Sequence, residues 1–245
     1  MEAKKEEYIP RKGLEKEEMK EMQREISERA VFQDDFDFNI GNLEEKTVVG
    51  VDQAFTEDKS VSAAVVIEDG EVIEKVSAAV DLEMPYIPGL LAFREGASIV
   101  KALKKLESEP ELIFFDGSGR IHFREAGIAT HIGLIFDNPS VGIAKNLLCG
   151  EPERTWGKME KGSKIPVKAD SKVEDVDSDE IIGYVFQSKQ YEGDRKVNPL
   201  YVSPGHRISA GSAVKAVEQF CKGYKLPQPT YLADKEVSEL KEDYR

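Results

Sequence analysis

The stretch ELIFFDGSGRIH, residues 111–122, decides how the rest of the chain is read. Leu112, Ile113, Phe114 and Phe115 are consecutive apolar residues, which suits a strand buried on both faces at the centre of a helix-covered sheet. Asp116 stands just past its end. An ionised carboxylate beside so apolar a strand costs on the order of several kcal/mol unless it meets a partner. A metal cation is one such partner; the other reading is a capping Asp that opens a tight turn. Gly117 and Gly119 permit close approach of a backbone or ligand and bring His122 back toward the same strand end.

Upstream, TVVGV at residues 47–51 is β-branched and apolar and leads into Asp52, so a second strand also ends on a carboxylate. VSAAVVI (61–67) and EVIEKVSAAV (71–80), joined by Glu68-Asp69-Gly70, have the spacing of a hairpin. In MPYIPGLLAFREG (84–96), Pro85 and Pro88 hold Tyr86 and Ile87 on a stiff extended loop before a helix that runs to about Leu106. On that helix Glu95 shares a face with Ile99, Ala102, Leu103 and Leu106, an anomalous place for a charge unless it serves the helix start or a basic neighbour.

Downstream, residues 123–137 read as a crossover helix and SVGIA (140–144) as a parallel strand ending at Lys145. That lysine suits a phosphate if it lies at the carboxylate end of the sheet, and otherwise the surface. Strands are expected at 165–168, 181–187 and 200–202. A helix follows SPGHRIS (203–209), with Ser209 as N-cap and Gly223 as stop.

At 245 residues the chain has room for one large α/β domain. It shows neither a signal peptide nor an apolar run of the ~20 residues that cross a bilayer, which predicts a cytoplasmic protein without membrane contact. Cys149 and Cys221 form no metal-binding pattern and read as buried apolar residues. The net charge of −13 argues against a nucleic-acid partner until its distribution is examined. Residues 1–45 carry 14 acids against 8 bases, 170–180 carry 6 against 1, and 234–245 carry 5 against 3, leaving 22 against 22 elsewhere. A neutral body can present a local basic groove. The expected divisions are an acidic N-terminal helical extension (1–45), with its helix at about 14–30, a catalytic domain (46–225) and a charged C-terminal tail (226–245).

Asp52, Glu95, Asp116 and His206 thus occupy a consistent set of places. Three antiparallel strands, a helix, then strand-helix-strand resemble the ribonuclease H fold, a mixed α/β sheet that gathers acids around divalent metal. Carboxylate ligands suit Mg²⁺ or Mn²⁺, and two such ions support in-line phosphoryl displacement.

VGVDQAF, MPYIPGLLAFREG, DGSGRIHFREAGIATHIG, VGIAKNLLCG and LYVSPGHRIS, in this order, resemble the successive motifs of the endonuclease V family over about residues 47–222. The resemblance implies an inosine-directed nuclease with metal-binding acids at Asp52 and Asp116, Glu95 as third acid, His206 as a further active-site residue and Lys145 on phosphate. It places a nucleic-acid wedge at Pro85, Tyr86, Ile87 and Pro88, and a base pocket with strand contacts at Gly89, Arg94, Gly117, Gly119 and His122. The reaction implied is hydrolysis on the 3′ side of deoxyinosine, one nucleotide past the adjacent linkage, by a Mg²⁺-dependent monomer acting on DNA, with inosine RNA as a second partner. Ser118 and Phe123 depart from the family's usual His and Pro, which bears on base preference. His131 matches a family position but reads as a packed structural histidine. The alternatives are another ribonuclease H-like nuclease, acting on inosine RNA, mismatches or branched DNA, and a non-catalytic binding module. Three mutually repelling acids argue against the module.

Overall fold

The computed structural model describes residues 1–82, 84–190 and 197–243. Its helices are α1 (Lys16–Arg29), α2 (Leu91–Leu103), α3 (Ile128–Phe136), α4 (Ala210–Phe220) and α5 (Gln228–Glu242). Its strands are β1 (Val48–Phe55), β2 (Lys59–Glu68), β3 (Glu71–Asp81), β4 (Leu112–Asp116), β5 (Ser140–Ala144), β6 (Glu151–Pro152), β7 (Lys164–Lys168), β8 (Ile181–Phe186) and β9 (Leu200–His206). They form one sheet in the order β3-β2-β1-β4-β5-β9-β8-β7-β6. The β3-β2-β1 run is antiparallel, β1-β4-β5 is parallel, and β9 returns antiparallel to β5. This is the mixed α/β, ribonuclease H-like sheet that the motif order implied.

Register explains how separate stretches of sequence meet. Val48 pairs with Leu112 and Val51 with Phe115 in parallel, so Asp52 and Asp116 come level on adjacent strands, which lie about 4.8 Å apart. The period of two then assigns their face. Ile113 and Phe115 join Val49, Val51 and the α2 and α3 side chains in one half of the core. Leu112 and Phe114 join Val48 and the α4 side chains in the other. Asp52 and Asp116 share the parity of Val48, Leu112 and Phe114. They therefore emerge on the α4/α5 side.

Helix α5 is the main departure from the expected layout. Residues 226–245 read as a charged tail, yet Pro229, Thr230, Ala233 and Val237 are buried, and Val237 packs with Val61 and Ala63 of β2. Gly50 makes the docking possible: a Cβ there would stand 2.1 Å from the Pro229 carbonyl carbon. The N-terminal segment is likewise part of the body, with Ala3, Tyr8 and Ile26 in the core.

Helix α3 is shorter than expected, because residues 123–127 form a loop in which the amides of Arg124 and Glu125 bond to His122 and Glu125 takes φ +49°. The buried Cys149 and Cys221 are both free thiols, pushed up to about 12 by burial. His131 is the packed histidine expected, its Nε2 donating to the Tyr8 carbonyl at 2.7 Å and its ring edge-on to Phe93. Among the described residues no helix is long and apolar enough to cross a membrane.

Candidate active site

Around Asp52 on β1 and the carboxyl ends of β4 and β5, charge gathers from five elements: β1, α2, β4, the residue after β5, and α5. Asp52 is 5% exposed, and its Oδ1 accepts the Gln53 amide at 2.8 Å. Burial pushes its carboxyl up to about 8, with the charges of Asp116 and then Asp234 adding to the shift against the Gln53 amide. Asp234, on α5, lies within hydrogen-bonding reach of it. Glu95, on the first turns of α2, is 2% exposed and also raised to about 8, by burial and then by Asp116, against the opposing pull of Arg94. Its Oε2 is buried without a hydrogen-bond partner.

Asp116 meets the ammonium of Lys145 at 2.7 Å. Ile143 pairs with Asp116, so Lys145, two residues on, lies on the same side of the sheet. Burial pulls the Lys145 ammonium down, but Asp116, with Asp52 and Asp234 behind it, holds it above the ordinary lysine value.

These groups fit a divalent cation. A buried carboxylate oxygen without a donor and two carboxyls held near neutrality are what a hard cation site looks like without its positive charge. Among the described residues no three Asp, Glu, His or Cys side chains form a ready-made cage; the cation on Asp116 is Lys145. A metal would be held by Asp52, Asp116 and Asp234, with Glu95 close enough to Asp116 to feel its charge.

A cavity of about 340 Å³ opens beside this cluster, with Gln53, Tyr86, Gly89, Ser118, His122 and Ile128 in its wall together with Asp116 and Lys145. Its size sits at the lower end of the roughly 300–1,000 Å³ usual for small-ligand pockets, which suits a single base. The loop above it is built to stay in place. Leu90 donates to the Ile87 carbonyl at 3.0 Å and Gly89 takes φ +79°, so Pro88 and Gly89 are the corners of a type II turn.

The turn aims the Gly89 carbonyl inward, where it accepts from Gln23 Nε2 at 2.9 Å, His122 Nε2 at 3.0 Å and Arg124 Nη2 at 3.3 Å. His122 Nδ1 accepts the Arg124 amide at 3.2 Å, so the proton resides on Nε2. Burial and then Arg124 drive this imidazole down to about 3. It is a neutral pin between two loops. Tyr86, beyond the pinned turn, is 64% exposed.

The fold leaves three expected residues outside this site. His206 pairs with Ser140 at the opposite end of β5, about 10 Å along the strand from the level of Asp116 at ~3.3 Å per residue. It is buried, accepting the Val31 amide on Nδ1 at 3.2 Å and donating from Nε2 to Asp137 at 3.1 Å. Because β9 runs antiparallel to β5, its end lies away from the carboxylates. Gly119 does not line the cavity; its amide is taken by Ser203 Oγ at 2.9 Å, and a Cβ there would stand 2.2 Å from the Pro204 carbonyl oxygen. Arg94 turns to the far side of the wedge loop, donating to the Met84 carbonyl and stacking 4.8 Å from the Phe55 ring.

Sequence reasoning also missed residues that the fold brings in: Asp234, Gln23, and Gln53, whose Nε2 donates to the Asp116 carbonyl at 3.3 Å. For Asp234 the available signal was the pair of prolines, Pro227 and Pro229, opening a helix after Gly223.

Comparison with known proteins agrees with this architecture. The endonuclease V family model matches residues 24–235. The endonuclease V of Haloarcula marismortui is 47% identical over 96% of this chain and 96% of its own length. That of Natronomonas pharaonis is 47% identical over 97% and 96% respectively. The crystal structure of the endonuclease V from Streptomyces avermitilis, 29% identical, superposes with a TM-score of 0.79 over 95% of this chain and 96% of that one. A Ciona intestinalis endonuclease V, solved in complex with a 24mer DNA containing an inosine followed by a ribo-adenosine, shares the fold with a TM-score of 0.75 at 23% identity, over 94% of this chain and 98% of that one. With a family model and relatives spanning nearly the whole sequence, and a sheet that carries the expected acids at one rim, the chain belongs to the endonuclease V family.

Proposed function

We propose that this protein hydrolyses a phosphodiester bond in DNA containing deoxyinosine, on the 3′ side of the lesion and one nucleotide past the adjacent linkage, leaving 3′-hydroxyl and 5′-phosphate ends. One observation carries the reading: Asp116 and Lys145 belong both to the acid cluster and to the wall of the base-sized cavity. A nucleotide whose base fills the cavity therefore brings its own backbone to the acids.

Tyr86, on its pinned loop, replaces the extruded base in the stack, offsetting an unstacking cost of a few kcal/mol. Gln53 and Ser118 line the cavity, where they would meet the polar edge of a base. Lys145 exchanges Asp116 for the phosphate and neutralises it. Asp52, Asp116 and Asp234 would hold Mg²⁺, or Mn²⁺ in its place, with Glu95 as the further acid near Asp116. The chemistry supplied there would be activation of a water and stabilisation of the leaving oxygen.

The test is gel analysis of a deoxyinosine oligonucleotide, its RNA equivalent and an undamaged control, each with Mg²⁺ and with EDTA. Cutting of the deoxyinosine strand alone, only with Mg²⁺, is expected; equal cutting of the control would overturn the reading, and a faster cut in RNA would replace its substrate. For the wedge, Tyr86→Ala weakens binding to inosine-containing duplex about tenfold, at ~1–3 kcal/mol per base–aromatic stack, and leaves undamaged duplex within about twofold. Fluorescence anisotropy measures both, and equal losses would reject the wedge.

A further inference from the structure

One side chain in the wall of the base-sized cavity comes from helix α1, a part of the chain that read in the sequence as an acidic extension. Gln23 is completely buried and stands beside Gly89 and Ala126 in that wall. A buried carboxamide carries donors and an acceptor that are costly to leave unpaired. Its Nε2 donates to the Gly89 carbonyl at 2.9 Å and, at the longer distance of 3.4 Å, to the Ala126 carbonyl, while Oε1 accepts from Arg124 Nε at 2.9 Å. These partners fix which end of the amide is which, since a carbonyl only accepts and a guanidinium only donates.

The same helix grips Arg124 at both ends. Gln23 holds Nε. The next residue, Arg24, pairs with Glu174 Oε2 at 3.0 Å, and Glu174 Oε1 takes Arg124 Nη1 at 3.0 Å. The remaining nitrogen, Nη2, reaches the Gly89 carbonyl at 3.3 Å. Gly89 fits against this assembly because it lacks a side chain: a Cβ there would stand 2.9 Å from the Phe123 ring and 3.3 Å from Arg124 Nη2. Three elements therefore meet at one amide: α1, the turn at Pro88 and Gly89, and the loop from His122 to Ala126. Ile26, one turn further along α1, is packed in the core and anchors the helix.

We propose that Gln23 is a positioning residue for lesion recognition, holding the turn so that Tyr86 is aimed before DNA arrives. The inference rests on the reading that the protein engages inosine-containing DNA. Tyr86 is exposed and immediately precedes Ile87, the first residue of the turn, so its placement follows from where the turn is held. A loop that becomes ordered only on binding loses conformational entropy in the complex, whereas one ordered beforehand does not. Undamaged duplex opens no gap for the ring, so the gain belongs to the inosine-containing duplex alone.

The test is a double-mutant cycle of Gln23→Met and Tyr86→Ala, read by anisotropy as the ratio of affinities for inosine-containing and undamaged duplexes. Gln23→Met lowers the ratio about tenfold, as the loss of one or two buried hydrogen bonds commands. Single-turnover cleavage at saturating enzyme stays within about threefold of the parent, a loss in binding rather than in the chemical step. In the Tyr86→Ala background the same substitution changes the ratio less than about twofold, because a residue that acts through the ring has nothing left to act on. Gln23→Glu at pH 8 keeps an acceptor for Arg124 but turns a carboxylate toward two carbonyls, and it lowers the ratio as Gln23→Met does. Ile26→Val, a buried truncation on the same helix, lowers stability and leaves the ratio unchanged. Additive losses in the cycle, an equal drop in Ile26→Val, or a parent-like ratio in Gln23→Glu overturns the proposal. Hydrogen exchange of the Leu90 amide, which closes the turn on the Ile87 carbonyl, quickens in both Gln23 variants without DNA. A failure of the deoxyinosine reading shows separately, as parent protein that binds both duplexes alike and cuts neither, while Leu90 exchange still responds to Gln23.

Discussion

Asp52→Asn abolishes cleavage and, in EDTA at pH 8, yields a protein that melts higher than its parent. The first half follows from the loss of a cation-binding carboxylate beside Asp116. The second follows from linkage. The Asp52 and Glu95 carboxyls are raised to about 8 in the metal-free fold, against about 4 in an unfolded chain. The native state therefore favours their protonated forms. The associated stability is fully present below about pH 4 and is lost as pH rises through 8.

At about 1.4 kcal/mol per pKa unit, and with relaxation and water entry absorbing part of the cost of a buried charge, removing the Asp52 charge stabilises the metal-free protein at pH 8 by on the order of 2 kcal/mol. For a chain of this size that is about 6 °C. Asparagine keeps an oxygen for the Gln53 amide, so no hydrogen bond is traded away. Differential scanning fluorimetry from pH 4 to pH 8 checks it. The two proteins melt together at pH 4 and diverge as pH rises in EDTA, and Mg²⁺ narrows the gap by raising the parent alone. A variant that melts at or below its parent at pH 8 would show that the acids do not repel one another there.

That opposition between stability and function also explains what the sequence could reveal. Asp52 and Asp116 were legible because each follows a run of buried strand residues, where a charge stands out, and because strand register is set by the same apolar alternation. Glu95 was legible as a charge on an apolar helix face. The route of β9 was not. A strand that leads into a helix looks the same whether it runs up or down the sheet, and His206 lies at the wrong end because β9 is antiparallel to β5.

Helix α5 was hidden for a different reason. Its inward positions are small or few, with Thr230, Ala233 and Val237 among lysines and glutamates. Its docking also depends on the missing side chain of Gly50, rather than on a stripe of large apolar residues. Gln23 and the Gly89 carbonyl likewise meet through a polar contact between residues 66 apart, which no periodicity reports.

Asp234→Ala lowers the single-turnover rate at least about 100-fold, about 2.7 kcal/mol of transition-state stabilisation, while inosine-containing DNA still binds. His206→Gln changes that rate less than about threefold and instead lowers stability by about 1–2 kcal/mol. The contrast decides which residue completes the site. His206 is buried between the Val31 amide and Asp137; a glutamine that fails to bridge both leaves a buried group unsatisfied, and its cost is paid in folding. Asp234 stands against Asp52, whose carboxyl it helps raise, so its removal relieves repulsion in the metal-free fold and costs no stability there.

Quench-flow cleavage and urea denaturation of both variants separate the two roles. Gly50→Ala supplies an independent check: its Cβ would stand 2.1 Å from the Pro229 backbone, which cannot give way as a side-chain tip does. Helix α5 shifts off β1, Asp234 leaves Asp52, and the rate falls as it does in Asp234→Ala, now with a loss of stability. A full rate in Asp234→Ala, with a collapsed one in His206→Gln, would move the fourth catalytic position back to the end of β9 and leave α5 a purely structural brace.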